Sequence, residues 1–114
     1  MIDLTPFAGR WQKTNEKPQW LDRVEARVDG DALYVHLYGD HDWGEVRAES
    51  VYALNQETDR GGAFFARYDL PDAHVEVEAN VNLGLLVCAT WVRWKEGSGR
   101  TNAFTREFFY RSEA

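Results

Sequence analysis

Cysteine is nearly missing from this chain: Cys88 is the only one in 114 residues. A lone thiol closes no internal disulfide, so the fold has to rest on packing, and the composition suits a reducing compartment. Cys88 itself reads as a small buried hydrophobe. Nowhere do about 18 apolar residues run together, and the start Met1-Ile2-Asp3-Leu4-Thr5-Pro6 carries neither a basic segment nor an apolar one. The expectation is a cytoplasmic protein with no membrane partner. Positive charge is short as well, with 13 Lys and Arg against 19 Asp and Glu and a formal net charge of −6. No local basic cluster compensates, which removes the electrostatic footprint for a phosphate backbone and argues against nucleic acid as a partner. Helical periodicity, internal repeats, low-complexity tracts and linkers are also absent.

Aromatic residues are plentiful: five Trp, five Tyr and six Phe, within a hydrophobic content of 44%. That is enough apolar surface to close a core in one domain spanning residues 1–114, and it excludes disorder. Glycine and Asp/Asn punctuation cuts the chain into short runs that alternate polar and apolar residues at period two, the pattern of half-buried strands. Residues 21–29 lead through Asp29-Gly30-Asp31 into residues 33–38, an Asp-Gly hairpin. Further strands are expected over residues 43–54, 63–68, 74–82, 85–94 and 101–111, with a short opening strand around residues 9–14. The fold class expected is all-β, an antiparallel up-and-down barrel of about eight strands. Closure satisfies every strand edge without long crossovers, which favours the barrel over a sandwich. Residues 1–6 and 112–114 are expected to fray.

Phe7-Ala8-Gly9-Arg10-Trp11 resembles the Gly-x-Trp signature on the first strand of calycin barrels, the group holding lipocalins, fatty-acid-binding proteins and avidins. Residues 35–39 followed by Asp42-Trp43-Gly44-Glu45, and residues 97–102 followed by Phe108, Tyr110 and Arg111, extend the likeness to a family of small bacterial lipocalin-like proteins. In that family the connection from Gly39 to Asp42 is usually longer and carries His and Cys; here it is Asp40-His41. The resemblance implies that Trp11 plugs one barrel end and that an arginine of the last strand, Arg106 or Arg111, stacks on it. Such a stack contributes about 0.5–2 kcal/mol. The two arginines are an odd number of residues apart and point to opposite faces, so only one can do so.

Tyr34, His36 and Tyr38 share one strand face, opposite Leu33, Val35 and Leu37, and either face can look inward. Facing a cavity, the first set offers flat walls with polar tips and places His36 as the candidate proton-transfer residue. Trp43 is placed to cap a pocket mouth. In residues 85–94, Trp91 falls with Leu85, Val87, Ala89 and Arg93, whereas Trp94 falls with Leu86, Cys88, Thr90 and Val92, the cleaner set for a core. The ligand-binding candidates are therefore Tyr34, His36, Tyr38, Trp43, Trp91 and Trp94. Asp40, His41, Asp42 and Glu45 crowd one tight turn, and His74, Glu76 and Glu78 share a wet strand face; neither group has the spacing of a metal site. No Ser-His-Asp order, phosphate loop or dinucleotide fingerprint is present, and nothing demands a cofactor.

Three functions fit these residues. The first is a barrel that binds a hydrophobic or aromatic small molecule in its interior. The second is a small isomerase or cyclase acting on an unsaturated substrate through His36. The third is a filled barrel that works as an interaction protein. Aromatics in excess of what one small barrel hides point to a homodimer in each case.

Overall fold

The computed structural model describes residues 1–17 and 19–112. Nine antiparallel strands form one sheet curved as a half-barrel: β1 (Gly9–Lys13), β2 (Arg23–Asp29), β3 (Ala32–Tyr38), β4 (Asp42–Arg47), β5 (Ser50–Ala53), β6 (Gly61–Asp69), β7 (Ala73–Asn82), β8 (Leu85–Trp94) and β9 (Ala103–Ser112). Their order across the sheet is β4-β3-β2-β1-β9-β8-β7-β6-β5. Among the described residues the only helical element is a 3-10 turn over Thr5–Phe7, and no helix is long and apolar enough to cross a membrane.

The expected strand over residues 43–54 is two strands. β4 pairs with β3 at one edge of the sheet and β5 pairs with β6 at the other. The chain passes between the edges at Ala48, whose N–H donates to Leu33 O, and Glu49, whose N–H donates to Phe65 O. One extended segment has to bend to serve two neighbours, and the ladder breaks at the bend. Fraying is expected over residues 1–6, but from Asp3 onward they are tied down. Asp3 N–H donates to Asp59 O, Gly61 N–H donates back to Asp3 O, and Leu4 is buried in the core. Glu113 and Ala114 lie outside the described residues; Ser112 ends β9, opposite Arg10.

Alternation decides what fills the inside. Leu33, Val35 and Leu37 of β3 are buried, as are Val24 of β2, Ala66 and Tyr68 of β6, Val75 and Val77 of β7, and Leu86, Cys88, Thr90 and Val92 of β8. Tyr68 donates its hydroxyl to Val35 O at 2.8 Å, tying β6 to β3 between the two ends of the sheet. One end of this core is plugged. Trp11 is 1% exposed and gives its Nε1 proton to Phe7 O at 2.9 Å, while Phe7 meets Phe64 edge to face at 5.4 Å. Arg111 lies over the Trp11 ring at 4.7 Å and donates to Pro6 O. Arg106 points to the outer face, 5.9 Å from the Phe108 ring.

Candidate functional site

The opposite end of the core is built differently. It collects three of the five tryptophans, Trp20, Trp43 and Trp94, from three separate segments. Trp43 sits in a bulge: Leu37 pairs with Gly44 and Tyr38 with Asp42, so one residue of β4 is left without an opposite number. A bulge re-aims the side chain it carries. Gly44, at φ +89°, takes the conformation that allows it, and the Trp43 indole is driven inward to 7% exposure. Gly39 leaves room for it. A Cβ at Gly39 would stand 2.5 Å from Trp20 O and 2.9 Å from Trp43 Nε1.

Trp94 ends β8 on its inner face, held by its Nε1 donating to Thr101 O at 3.0 Å and its backbone N–H donating to Asn102 Oδ1 at 3.0 Å. Trp20 lies against it at 5.8 Å between ring centroids, and Arg100 covers it at 4.4 Å while facing Asp72 at 3.6 Å. These rings, with Leu70, Val75 and Val92 beneath and Asp40 and His41 at the rim, enclose a cavity of about 40 Å³. That is room for a few water molecules.

Two polar atoms at or below this end are buried without a hydrogen-bond partner among the described residues: Trp43 Nε1 and Thr90 Oγ1. Burying such a group unpaired costs on the order of 1–3 kcal/mol. A third polar group, Glu107 on the inner face of β9, is 6% exposed and does have partners: Leu21 N–H donates to Oε2 at 3.2 Å and the Thr105 hydroxyl donates to Oε1 at 2.9 Å. Burial pushes its carboxyl above the usual range, and the two hydrogen bonds only partly offset that.

The other sequence-derived candidates stand elsewhere. Tyr34, His36 and Tyr38 are on the outer face of the sheet, half-buried, because β3 turns its aliphatic side to the core. His36 Nε2 is 2.5 Å from Asp42 Oδ1, and its ring stacks on Tyr38 at 4.3 Å. The His36 hydrogen bond, then the Gly44 N–H, holds the Asp42 carboxyl below its usual range. Arg23 covers Tyr38 at 3.9 Å and Arg27 covers Tyr34 at 4.3 Å. The proton-transfer candidate thus has the sheet between itself and the core. Trp91, 48% exposed on the outer face, meets Phe104 edge to face at 4.0 Å. Only Trp43 and Trp94 of the six candidates reach the tryptophan-lined end.

Trp20 and Arg100 belong to this end, and Glu107 lines the cleft next to it beside Trp20, without having been singled out in the sequence. Trp20 and Arg100 lie in irregular segments where period two gives no facing information, and Glu107 is a carboxylate among aromatics that reads as an outward residue. Among the described residues no group of three or more His, Cys, Asp or Glu side chains is arranged to hold a metal ion. Comparison of the chain with family models, with curated proteins and with solved structures finds no match.

Proposed function

We propose that this chain is a calycin-like barrel, closed through residues 48–49, that binds a small hydrophobic or aromatic molecule at its tryptophan-lined end. Closure is supported by the Ala48 and Glu49 hydrogen bonds to Leu33 and Phe65, and the calycin likeness by Arg111 lying on Trp11 behind Gly9. The observation that carries the binding reading is the meeting of Trp20, Trp43 and Trp94 around one cavity, with the Trp43 indole N–H buried and unpartnered. Flat apolar walls with a single free donor suit a planar ligand bearing one hydrogen-bond acceptor. At about 40 Å³ the cavity does not take such a molecule whole, so the ligand sits in the mouth and moves Trp20, which like Trp94 is half-buried, whereas Trp43 is buried.

The test is native mass spectrometry of freshly purified protein, followed by titration with 1-anilinonaphthalene-8-sulfonate monitored by tryptophan fluorescence. A retained small-molecule mass, and a probe affinity that falls at least about tenfold in Trp94→Ala but not in Trp91→Ala, is the expected result. No retained mass together with equal loss in both variants would leave the filled barrel acting through its surface as the better reading. The densely packed core between Val35 and Phe109 favours that second function.

A further inference from the structure

Strand β9 is more apolar outside than inside. Its inner face carries Thr105, Glu107 and Arg111 beside Ala103 and Phe109, whereas its outer face carries Phe104, Phe108 and Tyr110 with a single charge, Arg106. The pairing with β8 extends this outer face, setting Leu85 opposite Tyr110, Val87 opposite Phe108 and Trp91 opposite Phe104. Tyr52, Trp91, Phe104, Phe108 and Tyr110 are between 37% and 58% exposed. At roughly 200 Å² per ring they leave on the order of 500 Å² of aromatic surface in water. That is already near the largest apolar patch of an ordinary monomer, about 300–600 Å².

The face is also shaped. Ala63, Glu78, Asn80, Val87 and Ala89 form a floor between the Tyr52 and Phe65 side and the Phe104 and Arg106 side, an open groove of about 710 Å³. Unmatched charges flank its β8 strip. Among the described residues neither Glu78 nor Arg106 takes part in an ion pair within the chain, and both sit directly beside Ala89, in the register Glu78–Ala89–Arg106. An acid on one side of an apolar strip and a base on the other is self-complementary about a two-fold axis.

We infer that the outer face of β7 to β9 is the contact between two copies of the chain, stacked sheet against sheet with the two-fold axis running along β8 at Ala89. That axis carries β7 of one copy over β9 of the other, so each Glu78 meets the second copy's Arg106 and the aromatic rings fill the facing grooves. The exposed rings of Trp91, Phe104, Phe108 and Tyr110 bring on the order of 400 Å² to the contact, about half of the roughly 800 Å² per partner of a standard interface. The paired charges stand on either side of the axis and fix the register of the contact.

Sedimentation equilibrium at micromolar concentration tests this. The wild-type chain should run at twice its 13.2 kDa mass. Ala89→Arg, an outward substitution on the axis that leaves the core untouched, should give a folded monomer by circular dichroism. Glu78→Arg and Arg106→Glu should each weaken the dimer about tenfold or more, and the double reversal should return to within about threefold of wild type. Tyr34→Ala, on the outer face of β3, should leave the dimer constant unchanged. A monomer at about 100 μM, a dimer that survives Ala89→Arg, or a double reversal no tighter than the single changes overturns the inference.

Discussion

Leu83 stands at φ +52° in the two-residue turn between β7 and β8, followed by Gly84 at φ +80°, and it is 95% exposed. A left-handed conformation costs an ordinary L-residue about 1–2 kcal/mol, and this leucine makes up little of it through burial. Asparagine suits the same turn position. Leu83→Asn should therefore raise stability by about 1 kcal/mol in urea denaturation; an unchanged or lower midpoint would show that the side chain contributes something the turn geometry hides. The residue scale also explains what was readable beforehand. Asp29-Gly30-Asp31 announced its hairpin because the glycine occupies the left-handed position, at φ +62°, whereas Leu83-Gly84 has a leucine where such turns take Asn, Asp or Gly and was visible only as the gap between two strand runs. Trp11 was legible too, through Gly9, and the structure gives it a carbonyl partner, a covering arginine and 1% exposure. Trp11→Ala should lower stability by about 3–5 kcal/mol. A parent-like melting curve would show that the plug is dispensable.

At the scale of elements, alternation predicted where strands run better than which way they face. The bounds of β8 were readable to the residue, as an apolar run set between Gly84 and Glu96-Gly97, and those of β7 nearly so, because its polar and apolar positions separate cleanly. β3 offers an aliphatic face and an aromatic face of similar hydrophobicity, and only its packing against Val24, Ala66 and Tyr68 decides for the aliphatic one. β9 is harder still, since its inward Glu107 inverts the usual rule. That carboxyl is raised by burial, so its contribution to stability is complete below the ordinary glutamate value near 4.5 and is lost as pH rises through the raised value. Asp42 and Glu45, held low by His36 and Arg27, act oppositely and lose their contributions as pH falls. Unfolding free energies of wild type and Glu107→Gln across this range should converge in acid, with the wild type falling behind as pH rises. Parallel pH curves would show that the carboxyl titrates alike in the folded and unfolded chain.

For the whole molecule, the split of residues 43–54 into β4 and β5 matters more than the strand count, because it brings the two edges of the sheet within two residues of each other. Period-two alternation runs on through such a bend, so the sequence pattern shows one strand where the backbone makes two. The central seam is the pairing of β1 with β9, the first and last strands of the chain. Its consequence lies in synthesis. While the chain grows from its amino end, β1 to β8 can assemble hairpin by hairpin, yet both β1 and β8 keep a bare edge until the last ten residues of β9 arrive. Until β9 pairs, the chain is an open sheet with two unpaired edges, the form most exposed to strand exchange with another copy. Insertion of β9 between β1 and β8 is the event that takes the chain out of that hazard.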